Sequence, residues 1–222
     1  MRPPLRVPAS RLVPGQLVLD REAARYVARV HRRRSGDRLL LFDPEARVEA
    51  DATVTELGRE VRVEVAAPRP TSGPGALPVT VLQALGKGDK LSRVVRDATT
   101  LGAARVFAIR TARSVLDGAE RAPRRQERWR SVAVQAARQC GRGDLPELGG
   151  PWPLDEALER AVSDPGVRIG LDPGGGPLLP ALAAWRPPLP LVLAVGPEGG
   201  FTAEELERLR SRGFSLARLG AY

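Results

Sequence analysis

The densest chemical pattern in the 222-residue sequence is Leu189–Glu205, LPLVLAVGPEGGFTAEE. Leu191, Val192, Leu193, Ala194 and Val195 form an uninterrupted apolar run, the pattern of a strand covered on both faces of a parallel sheet. Gly196, Pro197, Glu198, Gly199 and Gly200 then make a loop that lets backbone approach a ligand closely. Thr202, with Glu205 three residues on, is a capping box opening a helix. Strand, glycine-rich loop and helix in that order place a ligand at the carboxyl end of a sheet. A tight turn without a ligand has the same composition. The loop is neither GxGxxG nor GxxxxGK(S/T), which removes the main support for dinucleotide and P-loop readings.

Two further loops follow strand-like segments: Leu171–Pro177 (LDPGGGP) and Leu219–Gly220. Three strand-end loops of one sheet can converge on one pocket. Arg113, Gln139 and Arg142 lie after a strand or at a helix end, from which side chains reach into such a cleft or stay at the surface. Glu198 has three available roles: touching a ligand, accepting backbone N–H bonds within the loop, or capping the next helix. The only histidine, His31, sits within Arg29–Arg34 and reads as a surface or RNA-facing residue, not the base of a Ser-His-Asp triad. Cys140, the only cysteine, reads as a small buried apolar residue at a helix end. It excludes an internal disulfide, and one Cys with one His leaves no structural zinc set. An α/β hydrolase lacks its GxSxG elbow.

The elements that must position these residues fall into two groups. Before residue 66, Arg38–Asp43, Arg47–Thr55 and Glu60–Ala66 alternate as half-buried antiparallel strands. Asp20–Arg32 reads as a helix with Ala23, Ala24, Val27 and Val30 on one face. A small β-rich barrel is the natural container. Ala66–Pro78, rich in Pro and Gly, reads as a linker. Thereafter strand and helix alternate: Pro78–Ala84 (strand), Asp89–Leu101 (helix), Ala104–Arg110 (strand) and Arg124–Cys140 (helix). The last of these has an apolar face of Trp129, Val132, Ala133, Ala136 and Ala137. Arg168–Leu171, Leu191–Val195, helix Thr202–Arg212 and strand Ser215–Leu219 complete an α/β domain with a mainly parallel sheet.

The net charge of +9 is unevenly spread: residues 1–34 and residues 105–142 each carry +7, and the remainder is acidic. Of the 35 basic residues only Lys87 and Lys90 are lysines. Arginine offers a bidentate fork for phosphate and a plane for stacking on bases. A compositional bias towards Arg explains the ratio but not the clustering, which favours a nucleic-acid partner. No apolar stretch approaches the roughly 18 residues of a membrane span and no secretory signal precedes the first basic residues, so a cytoplasmic protein is expected.

Several segments occur together in one order: Arg29–Asp37 (RVHRRRSGD), Gln83–Asp89 (QALGKGD), Leu101–Gly102, Thr111–Val115 (TARSV), Glu127–Trp129 (ERW), Gln139–Arg142 (QCGR) and Gly196–Phe201 (GPEGGF). That order resembles the RsmE family of ribosomal RNA uracil-N3 methyltransferases, of the SPOUT class, over almost the whole chain. The resemblance implies a SPOUT-type knotted, mainly parallel sheet with helices on both faces, preceded by a small PUA-like β-barrel. The corresponding domains are residues 1–68 for the barrel, 69–78 for the linker and 79–222 for the methyltransferase domain. It also implies a homodimer that binds S-adenosylmethionine in a trefoil knot and methylates one uridine of 16S ribosomal RNA, on free RNA or in the small subunit. By position, Leu171, Gly196, Pro197, Glu198, Gly199, Leu219 and Gly220 fall on the family's cofactor pocket. Arg113, Gln139 and Arg142 match polar positions facing the target base, with Arg113 or Arg142 steadying charge on the uracil oxygens. Arg32, Arg33 and Arg34 would hold RNA phosphates.

Two features depart from the family. Asp97 and Thr100 stand where it usually has a lysine and a glutamate. The family pattern also continues past Leu219–Gly220 with a segment like I-L-R-x-E-T-A and a final helix, so the resemblance implies a missing tail. The alternative function is a non-catalytic RNA-binding protein that uses the barrel and the arginines.

Overall fold

The computed structural model describes residues 4–72, 75–114, 122–161, 165–183 and 185–220. Gly73 and Pro74 of the expected linker, and Val115 of the TARSV segment, lie outside the described residues. The chain divides into two compact units: Met1–Gly75 with Val134–Leu145, and Ala76–Ala133 with Pro146–Tyr222. Residues 134–145, expected within the second domain, therefore belong to the first unit. The continuous helix that supplies residues to both units hides this division in the sequence.

The first unit is a six-stranded sheet with strand order β1-β3-β4-β5-β2 and β6 beside β4. Its elements are β1 (Leu5–Pro8), β2 (Gly15–Val18), α1 (Arg21–Arg25), β3 (Arg38–Asp43), β4 (Val48–Leu57), β5 (Val61–Val65) and β6 (Arg69–Pro70). Among the described residues of this sheet, only β1 and β3 pair in parallel. Alternation sends Ala50, Ala52, Val54, Val61, Val63 and Val65 into one core with Leu39 and Leu41, closed by Ala23 and Val27 of the helix. Asp20 caps α1, accepting the Ala23 N–H at 2.8 Å. The helix then widens into a π-helical turn, Tyr26–Val30, in which His31 N–H reaches Tyr26 O at 3.0 Å. That wider turn carries Val30 off the face shared by Ala23 and Val27. Val30 is 60% exposed, against the expectation that it lies on the apolar face.

The second unit holds a six-stranded sheet of order β12-β10-β11-β7-β8-β9, with every pair parallel. Its first elements are β7 (Leu77–Ala84), α2 (Lys90–Thr100), β8 (Ala103–Arg110), α3 (Ala122–Cys140) and β9 (Glu147–Pro153). Then come α4 (Leu154–Ala161), β10 (Val167–Pro177), α5 (Leu178–Leu182), β11 (Leu191–Val195), α6 (Ala203–Ser211) and β12 (Ser215–Arg218). Val192 and Ala194 of β11 join a core with Leu82, Phe107 and Ile109, capped by Leu158 of α4 and Leu209 of α6. Leu191 and Leu193, on the opposite face by period-two alternation, pack instead with Leu178 and Leu182 of α5. Helices thus cover both faces, which is why β11 reads as a continuous apolar run. From β7 the chain moves outward through β8 and β9, then returns to β7's other side with β10 and β11. This makes the gap between the ends of β7 and β11 a topological switch point, where open α/β sheets bind ligands. Among the described residues, no helix is long and apolar enough to cross a membrane.

Candidate functional site

The loop after β11 is shaped by its own backbone. Gly200 adopts φ +72°, a left-handed conformation that favours glycine, and its N–H reaches Pro197 O at 2.8 Å. The capping box then starts α6. Thr202 Oγ1 accepts the Glu205 N–H at 3.3 Å, and Glu205 Oε2 accepts the Thr202 N–H at 2.9 Å. The other oxygen of Glu205, Oε1, accepts the Ala112 N–H at 2.7 Å. At 6% exposure this carboxylate is buried, so both oxygens are bound where water does not compete.

Glu205 thereby fastens the Thr111–Ser114 turn to the start of α6. The turn is itself closed by Thr111 N–H donating to Ser114 Oγ at 3.0 Å. It presents Arg113, whose exposed guanidinium donates from Nη1 to Gly199 O at 2.5 Å. The Arg113 side chain lies across Gly199: a Cβ there would come within 3.2 Å of Arg113 Cδ. Nearby, Glu204 is held below the usual carboxylate range, first by its own backbone N–H and the Thr202 hydroxyl, then by the charges of Arg208 and Arg113.

Glu198 points to the other side of the loop. It pairs with Lys90 at the start of α2 and accepts the Lys87 N–H at 3.3 Å. The Lys90 hydrogen bond and Glu198's own backbone N–H hold the carboxyl down at about 2. A Cβ on Gly86 would stand 2.9 Å from Glu198 Oε1, so glycine permits this approach. Of the three roles open to Glu198, the structure shows loop fastening; the capping role belongs to Thr202. A cavity of about 210 Å³ opens here, between Gln83 and Ala84 of β7, Gly86, Lys90 and Leu91, and Gly196–Glu198. It sits at the switch point of the sheet.

The three strand-end segments do meet. Leu171 pairs with Val195 on one side and Ala217 on the other, so the ends of β10, β11 and β12 lie adjacent. LDPGGGP is not a simple loop, however. It forms the second half of β10, with an excursion after which Gly176 pairs with Ala217 again. The excursion is held by Gly174 N–H to Asp172 Oδ1 at 2.8 Å and by Arg218 Nη1 to Gly175 O at 2.6 Å. Leu219 and Gly220 follow β12 and are exposed.

Gln139 and Arg142 belong to the first unit. Gln139 is exposed on the last turn of α3. Arg142 is not the reaching side chain that its position suggests: it is 2% exposed and paired with Asp144, and its carbonyl accepts from Arg6 Nη2 at 3.2 Å. Two residues of separation let the ion pair form locally, which charge patterns alone do not reveal. Arg32 and Arg34 are exposed and Arg33 is half-buried. Cys140 is exposed, contrary to expectation, because the apolar stripe of α3 ends at Ala137. His31 is at the surface, edge-on to Tyr26 at 4.4 Å between ring centroids. The sequence alone points to no role for Gly86, Lys90 or the bridging half of Glu205. The first two fall in or beside the QALGKGD segment; the third has no local signal.

Comparison with known proteins gives the same direction. Residues 74–222 match the RNA methyltransferase domain family. The ribosomal RNA small subunit methyltransferases E of Mycobacterium bovis and Mycobacterium tuberculosis are each 34% identical over 210 residues, covering 91% of this chain and 78% of theirs. That of Bacillus subtilis is 29% identical, covering 90% and 80%. A Legionella pneumophila protein solved in complex with the bound cofactor SAM superposes with a TM-score of 0.87 at 27% identity, covering 100% of this chain and 91% of that one. The Neisseria gonorrhoeae methyltransferase E, bound to S-adenosyl methionine, shares the fold at a TM-score of 0.86 and 24% identity, covering 99% and 90%. With its parallel sheet, its GPEGGF loop and these relatives spanning most of its length, the chain belongs to the ribosomal RNA small subunit methyltransferase E family of RNA methyltransferases.

Proposed function

We propose that the chain transfers a methyl group from S-adenosylmethionine to N3 of one uridine in 16S ribosomal RNA. The observation that carries this reading is the Gly196–Gly200 loop at the sheet's switch point, with Arg113 hydrogen-bonded to Gly199 O. The relatives' name supports small-subunit RNA as substrate, and the SAM in the Legionella structure supports the cofactor.

The residues present fit such a cofactor. Ala84 and Gly86 keep bulk out of the cavity, Leu91 and Pro197 give it apolar wall, and the loop offers backbone donors and acceptors. Its volume of about 210 Å³ is below the ~300 Å³ of ordinary ligand pockets, so it takes part of the molecule. The adjacent strand ends complete the proposed site, which comprises Leu171, Gly196, Pro197, Glu198, Gly199, Leu219 and Gly220. When bound, S-adenosylmethionine supplies an electrophilic methyl group on a sulfonium leaving group.

Uracil N3 carries a proton at neutral pH, so that proton must leave to solvent or a base as the N–C bond forms. The Arg113 guanidinium steadies the negative charge that develops on uracil O2 or O4. N3 lies on the pairing edge, so the base is taken unpaired or extruded, at about a few kcal/mol. Arg32, Arg33, Arg34 and Gln139 are assigned to RNA contact. Arg142, bound to Asp144, is assigned to ordering the Gly141–Leu145 segment. A PUA-like barrel for the first unit, a trefoil knot in the second and a homodimer belong to the same reading.

The test is incubation of the chain with small-subunit RNA lacking the mark and methyl-labelled cofactor, followed by nucleoside analysis. N3-methyluridine is the expected product, and transfer only to ribose or to protein overturns the proposal. Calorimetry with S-adenosylhomocysteine should give heat; none would leave an RNA-binding protein without this chemistry.

A further inference from the structure

Beside α1 and the π-helical turn, the first unit has an open groove of about 770 Å³. Four exposed arginines line it: Arg21, Arg25 and Arg29 along the helix, and Arg59 in the turn between β4 and β5. Among the described residues, none of these four guanidinium groups has a hydrogen-bond or ion-pair partner. Arg62 and Arg69 of the same sheet, by contrast, are paired: Arg62 with Glu56 and Glu60, Arg69 with Glu49 and Asp51. Two carboxylates also line the groove, but Glu60 is already bound by Arg62. That leaves Glu22 against four cations.

Arg21 and Arg25, four residues apart on α1, stand about 6 Å apart along its axis, and Arg29 follows in the π-helical turn and lines the same groove. Steps of that size follow the succession of phosphates along a nucleic-acid strand. The groove's other walls are small and apolar, with Val18, Ala24, Ala28 and Val61. Among the described residues, no aromatic ring and no side-chain amide lines it. It therefore has no surface for stacking bases and no bidentate reader of base edges, but it has forks for phosphate.

We infer that this groove holds the sugar–phosphate backbone of the RNA substrate, with Arg21, Arg25, Arg29 and Arg59 as its phosphate contacts. The inference rests on the proposed RNA substrate and adds a second contact surface to Arg32–Arg34. Recognition here is independent of base sequence and strongly dependent on salt.

The test compares the full chain with R21Q/R25Q/R29Q/R59Q, with the corresponding lysine variant, and with R210Q as a charge-loss control on α6. Anisotropy titrations with a protein-free small-subunit RNA fragment give the dependence of log affinity on log salt. Each lost contact lowers that slope by about 0.7 to 0.9, so the glutamine variant loses about 3 in all, while the lysine variant and R210Q keep the wild-type slope. At about 0.15 M salt the RNA KM rises about tenfold or more, with kcat and S-adenosylhomocysteine affinity unchanged. An unchanged slope in the glutamine variant, or an equal loss in R210Q, overturns the inference. So does a defect confined to assembled subunits, which would give the groove to a protein partner. Failure of the wild-type chain to methylate RNA strikes the proposed activity instead, and the salt slope still decides the groove.

Discussion

Glu205 and Ala112 stand 93 positions apart in sequence, yet the carboxylate of one accepts the backbone N–H of the other at 2.7 Å. Because its second oxygen holds the Thr202 N–H, Glu205 sets the turn carrying Arg113 against the loop that Arg113 touches. Replacing it with glutamine turns one acceptor into a donor facing an N–H. E205Q should lose about 1 to 3 kcal/mol of stability and lower kcat more than it raises the RNA KM. Urea unfolding combined with steady-state methyl transfer reads both. Wild-type stability in E205Q would remove the fastening role.

Arg113 should be separable from cofactor binding. If it steadies charge on the uracil ring, R113A lowers kcat by about 10²- to 10³-fold while S-adenosylhomocysteine affinity changes little. R113K should recover little, because a point charge cannot reproduce the planar fork. A variant that loses cofactor affinity and keeps kcat would make Arg113 a loop support only.

The contact between Glu198 and Lys90 carries a definite pH signature. The folded carboxyl is depressed to about 2, so the stabilisation is fully present above the ordinary carboxylate pKa of about 4.3. It declines as pH falls below that value and is gone once pH has fallen through about 2. Cofactor affinity should therefore be flat with respect to this group from about pH 5 to 8. A carbon-detected titration of Glu198 should place its midpoint well below that of a free glutamate, and K90A should return it towards the ordinary value. A midpoint near 4.3 in the wild type would contradict the pairing.

Two neighbouring glycines of β10 should respond oppositely to alanine. A Cβ on Gly175 would lie 2.5 Å from Ala217 N and 2.6 Å from Leu216 C, backbone atoms that cannot swing away, whereas one on Gly176 meets nothing within 4 Å. G175A should cost about 1 to 3 kcal/mol and lower Tm by several degrees, with G176A close to neutral. Differential scanning calorimetry of the pair decides it, and equal effects would disprove the close packing.

What the sequence disclosed, and what it concealed, follows from how local each feature is. The apolar run of β11 and the Thr202–Glu205 box are written in consecutive residues, and both stand in the structure as read. The mainly parallel class of the second sheet followed from alternating strand and helix patterns. β1 and β2 were hidden because they are four-residue edge strands. β9 was hidden because GGPWP carries the residues that usually break strands. The burial of Arg142 and the exposure of Cys140 depend on neighbours supplied by the fold, as does the Glu198–Lys90 pair, whose partners are 108 positions apart. Val30 turned outward because one π-helical turn shifted the helical phase, a change no periodicity of 3.6 anticipates.

The return of β11 to the side of β7 has a consequence for biosynthesis. Lys90 and Glu198, on facing walls of the cavity, are separated by 108 positions, so a nascent polypeptide emerging at about 5 to 20 residues per second exposes the first wall for roughly 5 to 20 seconds before the second exists. The binding-competent form thus arrives late in translation, through a non-local pairing of the slow kind. A small molecule seated there clamps the newest part of the chain to the oldest part of its sheet, so its abundance in the cell should raise the yield of mature protein as well as its turnover.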